Sequence, residues 1–416
     1  MRGEIMDPAV PTLLRAEWLV LDASHVLRDG ALAIAGGRVQ AVFAGAGAAR
    51  RWAQRAGARS EESSEGVLAP GWVNAHAHLE LSHLRHRLPA GEPFPRWIGR
   101  LLAFKQATAP ADWPRAVRLG VHRLLATGTT LVGDIDSVSL PHGDLAGPPI
   151  AARIFREALD MFQPDRLESA ARVFEMTVRG GGLRTYGLAP HASFSASPAL
   201  LARAARVQRR ERIPVTIHWS ETEDELAWLA RGGGALASWL PASPRRTGLD
   251  LLAEAGLLGA GTSLVHANFP GRGEPERIAR AGATVVHCPG SHAFFGRAPF
   301  PLATWRKAGV PVALGTDSWA SNADLHMGRE VALLRRHFSD LAPEPAFEMA
   351  TEHGARALGF GGERGRLWPG AWADVVRYSA RAEDPRGVLE RLTTETLEPS
   401  AVRVAGTPVV LEALIA

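Results

Sequence analysis

His76-Ala77-His78 places two histidines one residue apart, directly after the apolar run Val67-Leu68-Ala69-Pro70-Gly71-Trp72-Val73-Asn74. Side chains at i and i+2 of a strand leave it on one face. Both imidazoles can therefore grip one ion of the kind imidazole suits: Zn, Fe, Ni or Cu. Three more strand ends are polar. His218 closes Pro214-Val215-Thr216-Ile217-His218, with Glu221 three residues on, where helical text begins near Thr222. His266 closes Ser263-Leu264-Val265-His266, and Asp317 closes Val312-Ala313-Leu314-Gly315-Thr316-Asp317. Each has a plain structural alternative: a strand-end His is often a hydrogen-bonded core or loop residue, and an Asp after a strand is often a helix N-cap. Occurring jointly on the first, fifth, sixth and eighth strands, they describe a metal centre.

The elements that must position them alternate. Strands are expected at Leu68–Asn74, Thr129–Ile135, Ala152–Glu157, Thr185–Pro190, Pro214–His218, Thr262–His266, Ala283–Cys288 and Pro311–Thr316. Helical text lies between them at Pro114–Ala126, Leu167–Arg179, Pro198–Glu211, Glu223–Arg231, Leu249–Ala255, Pro275–Ala281 and Met327–Phe338. Pro114 and Pro198 stand at helix starts, where a missing N–H costs nothing. Eight strands with intervening helices is the count of an α/β fold of the (β/α)8 TIM-barrel type. A doubly wound open sheet is the alternative. The barrel is favoured because the polar residues fall at the C-terminal ends of several strands, where barrel active sites sit.

Both ends of the chain read as strands and turns. Trp18–Leu21, Gly30–Ile34 and Arg38–Phe43 are separated by the turn formers Asp29-Gly30 and Gly36-Gly37. Ala373–Tyr378 and Val402–Val410 are strand-like again, and Ala44–Glu65 reads as a surface loop or short helix. The expected organisation is a small β-sandwich domain built from both termini, residues 1–67 and 365–416, around a barrel at 68–364.

Composition excludes several classes. The 416 residues carry Lys+Arg 47 against Asp+Glu 43, a net charge of only +4, and the only lysines are Lys105 and Lys307. No basic stripe interleaved with aromatics appears, which argues against a nucleic acid polymer as partner. One cysteine, Cys288, rules out an internal disulfide framework and fits a reducing cytoplasm. Met1 to Leu14 show no signal-peptide pattern, and no run of about 18 apolar residues predicts a membrane span. The expected partner is a small molecule; a homo-oligomer is compatible with the chain.

The chain resembles the amidohydrolase superfamily, specifically its cytosine deaminase and chlorohydrolase-like branch. The resemblance rests on Pro70–His78, Gly128-Thr129-Thr130, Ala189-Pro190-His191, His287-Cys288-Pro289, Gly315-Thr316-Asp317-Ser318 and the tail Gly365–Asp374. It implies His76, His78, His218 and Asp317 as metal ligands, Glu221 as proton shuttle, and His266 as a group beside the reacting water. The catalytic set it implies is thus Glu221, His266 and Asp317. Binuclear members use a carboxylated lysine at the end of the fourth strand; here that strand ends in Ala189-Pro190-His191. One divalent ion is therefore expected, with Zn as default and Fe compatible with the same His₃Asp set. The implied reaction is hydrolytic attack on an electron-poor carbon bearing an amine, halide or amide nitrogen.

Many relatives read Cys-Pro-x-Ser-Asn after the seventh strand, whereas this chain reads Cys288-Pro289-Gly290-Ser291-His292 followed by Ala293-Phe294-Phe295. With His78-Leu79-Glu80-Leu81, this looks more like aminodeoxyfutalosine deaminases and their adenosine or S-adenosylhomocysteine deaminating kin than like guanine or cytosine deaminases. The resemblance suggests Glu80, His191, His292 and Ser318 as substrate contacts. Glu80 reads equally as a first-turn helix Glu favoured by the macrodipole, and His191 has a structural alternative. Phe294 and Phe295 line a pocket for an apolar 5′-substituent or pack under a loop. Arg153 and Glu157 read as a buried pair on the third strand, with pocket lining as the alternative. The expected activity is hydrolytic removal of the 6-amino group from an adenine nucleoside-like compound. Free-base deamination and s-triazine chloro- or aminohydrolysis are the alternatives within the class, and an inactive barrel serving as an interaction protein the alternative outside it.

Overall fold

The run expected as one strand over Leu68–Asn74 is two. In the computed structural model, which describes residues 10–63, 65–139, 149–178 and 180–410, Val67–Pro70 and Trp72–Ala77 lie on either side of Gly71. A Cβ on Gly71 would sit 2.1 Å from Thr130 Oγ1, so only glycine lets the chain redirect against the neighbouring strand. The first half joins strands from the chain ends, and the second half opens the barrel.

That barrel consists of β1 (Trp72–Ala77), β2 (Thr129–Asp136), β3 (Ala151–Ala158), β4 (Arg184–Pro190), β5 (Val215–Trp219), β6 (Thr262–His266), β7 (Thr284–His287) and β8 (Val312–Leu314). They are hydrogen-bonded in sequence order and parallel throughout. The last strand returns to the first: Thr316 N and Asp317 N donate to the His76 carbonyl at 3.1 and 3.0 Å. Asn74 adds two bonds across the seam, Nδ2 donating to Thr316 Oγ1 at 2.7 Å and Oδ1 accepting from Thr316 N at 3.1 Å. At Gly315 a Cβ would lie 2.8 Å from the His76 carbonyl oxygen, so glycine permits this close approach. These contacts decide for the (β/α)8 barrel over the open sheet. Every residue of β2 is buried, as expected of a parallel strand covered on both faces.

The helices at Pro198–Glu211 and Glu223–Arg231 lie where the sequence places them, capped by Ser197 and Thr222. The Leu167–Arg179 segment is helical over Pro164–Glu175; Arg179 and the first nine residues lie outside the described ones. The sequence reading did not anticipate the helix Phe94–Ala107 or the short helix Pro289–Phe294, while the first-turn helical position weighed for Glu80 falls in the 3-10 turn Leu79–Leu84. The first carried a signal: Phe94, Trp97, Ile98, Leu101 and Leu102 recur at helical spacing. No helix among the described residues is long and apolar enough to cross a membrane.

Two further sheets are made from the chain ends. One orders Arg38–Ala44, Gly30–Ala35, Thr12–Arg15 and Arg59–Glu62; the other orders Thr407–Pro408, Pro399–Val404, Val375–Tyr378, Val67–Pro70, Trp18–Val20 and Val26–Arg28. Leu14, Leu32 and Ile34 from the first sheet pack with Leu19, Leu68 and Val375 from the second, giving the expected sandwich layers. The Ala44–Glu65 segment contributes the helix Ala46–Ala56 and the edge strand Arg59–Glu62.

Candidate functional site

The chain ends of β1, β5, β6 and β8 converge at the C-terminal mouth of the barrel. Ligand atoms of His76, His78 and His218 lie within 4.8 Å of one another. Asp317 Oδ1 is 3.8 Å from His76 Nε2 and 3.7 Å from His78 Nε2. His218 Nδ1 donates to the His191 carbonyl at 2.7 Å, which leaves Nε2 as the ring's free lone pair. Asp317 Oδ2 accepts from Ser291 Oγ at 2.6 Å and from Ser321 Oγ at 3.0 Å, so Oδ1 is the oxygen left to face the imidazoles. Burial and neighbouring imidazoles push His76, His78 and His266 well below the usual histidine range. They are therefore neutral and present lone pairs.

Two of these side chains sit on unusual backbone. His266 has φ +74° and Asp317 φ +58°, a left-handed conformation that costs about 1–3 kcal/mol for a residue with a Cβ. The ladder with Trp219 holds His266, and the backbone bond to the His76 carbonyl together with the Ser291 and Ser321 hydroxyls holds Asp317.

Glu221 is buried just beyond β5. Its carboxyl is raised above the usual range by burial, partly offset by Arg297. Oε1 accepts from Arg297 Nη2 at 2.7 Å and lies 3.7 Å from His266 Nε2. Its backbone is equally determined: the N–H donates to Glu225 Oε2 at 2.8 Å, and the carbonyl accepts from Asn268 Nδ2 at 3.0 Å and from Arg297 Nη1. Glu225 also accepts from Ser220 N at 3.0 Å and Ser193 Oγ at 2.6 Å. Thr222-x-x-Glu225 is a capping-box spacing, visible in the sequence. Its glutamate here binds the turn that presents Glu221.

A cavity of about 230 Å³ opens onto this cluster. His78, His218, Glu221, His266 and Asp317 form its deep end, with Ser318 and His191 also in the wall. His191 Nδ1 bonds Ser195 Oγ at 2.6 Å, so Nε2 is the nitrogen left for the cavity. Two expected substrate contacts sit elsewhere. Glu80 is buried behind His78, its Oε1 accepting from Ser137 Oγ at 2.8 Å and lying 3.8 Å from Lys105 Nζ. His292 faces the Ala298 carbonyl at 2.7 Å and Asn268 Oδ1 at 3.2 Å. Neither is in the cavity wall among the described residues. Of the two phenylalanines, Phe295 lines the cavity and packs edge-on against Trp97; Phe294 packs beneath it.

The sequence reading missed Arg297 and misjudged Glu157. Arg153 donates instead to the carbonyls of Leu358 and Tyr186, at 2.9 and 3.1 Å. Glu157, four residues on, lines the cavity, and its Oε1 is buried without a hydrogen-bond partner. Arg297 carries no local sequence signal, because its role depends on a loop folding back between Phe94 and Phe295, with its guanidinium 5.7 and 4.8 Å from their rings. Replacing Arg297 by Met keeps the stem but removes the clamp on Glu221. The expected result is a 10- to 100-fold fall in kcat, about the worth of one charge-assisted hydrogen bond. KM should change little, because Arg297 is not in the cavity wall. Steady-state kinetics check this; a pure KM effect would contradict it.

A model of the amidohydrolase family matches residues 67–389. The chain is 32% identical over 391 residues, 89% of its length and 84% of the relative's, to a 5-methylthioadenosine/S-adenosylhomocysteine deaminase of Nitratidesulfovibrio vulgaris. It is 31% identical over 323 residues, 72% of its length and 75% of the relative's, to an aminodeoxyfutalosine deaminase of Deinococcus radiodurans. Among solved structures, an adenosine deaminase from Xanthomonas campestris with bound zinc aligns with TM-score 0.84 at 24% identity, over 98% of this chain and 96% of that one. At that identity the likeness is one of fold.

Proposed function

Since the chain belongs to the amidohydrolase family, we propose that it is a metal-dependent hydrolase that removes the 6-amino group of an adenine nucleoside as ammonia. The observation that carries the reading is the convergence of three imidazoles and one carboxylate oxygen opposite the buried Glu221, at the end of one cavity. The substrate class is taken from the relatives, which are named as 5-methylthioadenosine/S-adenosylhomocysteine and aminodeoxyfutalosine deaminases.

The residues fit a metal. Both ring nitrogens of His76 are buried without a partner, a costly state unless an ion uses one of them. His76, His78, His218 and Asp317 would hold it, and Zn suits this donor set. When bound, such an ion supplies a water of lowered pKa at the deep end of the cavity. Glu221 removes a proton from the attacking water and passes it to the ring nitrogen beside the attacked carbon. A second proton follows the same route to the amine, which leaves as ammonia while the carbon becomes a carbonyl. His266 donates a hydrogen bond to the developing oxyanion. Arg297 holds Glu221 in place from behind, and the apolar wall excludes bulk water.

The test is ammonia release from metal-analysed protein offered adenosine, 5′-methylthioadenosine, S-adenosylhomocysteine, aminodeoxyfutalosine, adenine, guanine, cytosine and a chloro-triazine. Turnover confined to the adenine nucleosides is expected. Turnover of a free base or the triazine, with nucleosides inert, would overturn the substrate class while leaving the hydrolase.

A further inference from the structure

His292, which replaces the Asn of the Cys-Pro-x-Ser-Asn pattern, takes no part in the proton transfers above. It belongs to the short helix Pro289–Phe294 that follows β7. Its ring stands edge-on to His287 at 5.2 Å and to Phe300 at 6.4 Å, and those two stack on each other at 3.8 Å. Burial pushes the imidazole down to about 4, so the ring is neutral and donates once. Nε2 lies 2.7 Å from the Ala298 carbonyl. A carbonyl only accepts, so the proton sits on Nε2. Nδ1 then rests against Asn268 Oδ1 at 3.2 Å as a packing contact. Both neighbours lead to Glu221. Ala298 follows Arg297, whose guanidinium bonds the Glu221 carboxylate at 2.7 Å and also its carbonyl. Asn268 Nδ2 donates to the same carbonyl at 3.0 Å. The loop itself has little packing of its own, since Gly296, Ala298 and Pro299 are exposed. His292 grips it on both sides of the arginine, its carbonyl accepting from Arg297 N at 3.3 Å and its ring donating to Ala298.

We propose that His292 is a positioning residue: by holding the loop that carries Arg297, it sets the orientation of the general base Glu221. The inference rests on the reading of Glu221 as proton carrier. An Asn side chain can place its amide where the ring has Nδ1, but it is too short to reach the Ala298 carbonyl. A Gln side chain can bring its amide nitrogen close to the place of Nε2 and donate there. In this chain the histidine and the arginine therefore act as one unit, and the ring's reach is the property that matters.

The experiment measures kcat and KM, on whichever compound of the panel is turned over best, for wild type, His292→Asn, His292→Gln, Arg297→Met and the double variant His292→Asn/Arg297→Met. Tm and metal content are measured for each. His292→Asn should lower kcat by about 3- to 10-fold, the net contribution of one neutral hydrogen bond, with KM and metal content unchanged. His292→Gln should recover most of that loss. Once Arg297 is Met, His292→Asn should cost little more, because a residue that acts through another is silent when the other is gone. Additive losses would overturn the inference, as would a change confined to KM or a Gln variant no better than Asn. Failure of both His292 variants to fold, or loss of metal in step with activity, would make His292 a structural residue and overturn it likewise. Near-normal turnover by Glu221→Gln would instead remove the premise. Wild-type silence on the whole panel overturns the inference together with the hydrolase reading.

Discussion

Glu221→Gln is expected to lower kcat by about 10²- to 10⁴-fold, the usual worth of a positioned general acid–base, while the protein retains its metal. The substitution keeps the side-chain shape and a carbonyl oxygen for the 2.7 Å bond from Arg297. The backbone of Glu221 is held independently by Glu225, Asn268 and Arg297. What disappears is the capacity to take up a proton and return it. Burial holds the carboxyl above its usual range, toward the neutral pH at which a group that must both accept and donate a proton works best. Rapid-quench or steady-state ammonia release, paired with metal analysis, measures the effect. Near-normal turnover would reject Glu221 as the proton carrier. Joint loss of metal and rate would move it into the ligand set.

Removing the metal should abolish turnover and also loosen the fold. The cluster brings a carboxylate and three imidazoles together in a buried space, with both nitrogens of His76 lacking partners. Without an ion those groups are left desolvated, an arrangement that costs on the order of 1–3 kcal/mol per unsatisfied group. An ion bound only by the folded chain adds about 4 kcal/mol of stability at a concentration a thousand times its Kd. Chelation is therefore expected to lower Tm by several degrees in parallel with activity. Re-adding Zn or Fe should restore both, and the ion that restores more identifies the working metal. An unchanged Tm and full activity after metal is verified absent would refute the metal centre. Restored Tm without activity would separate a structural ion from a catalytic one.

Much of this site was legible in the chain because its parts are local. His76 and His78 share a strand face by period two, and His218, His266 and Asp317 each close an apolar run whose length marks it as a buried parallel strand. Glu221 follows His218 by a fixed short step. Eight such runs separated by helical text, with polar residues at several strand ends, favour a barrel, and a barrel brings its strand ends together without further instruction. The terminal strands were legible for the same reason, through Asp29-Gly30 and Gly36-Gly37.

The contacts that cross the barrel were not legible. Gly71 divides one apolar run between two sheets because Thr130, on the neighbouring strand, fills the space a Cβ would need. Arg297 reaches Glu221 across 76 residues of chain. Glu157 and Glu80 are both acids near strand or motif ends, and sequence alone favoured Glu80. In the structure Glu80 lies behind His78 with Ser137 and Lys105, whereas Glu157 lines the cavity. The sequence by itself determined which residues stand at the strand ends, since periodicity and run length are properties of neighbours. Only the tertiary structure decided which acid meets the cavity and what holds the general base, because burial and partnership depend on residues far apart in the chain.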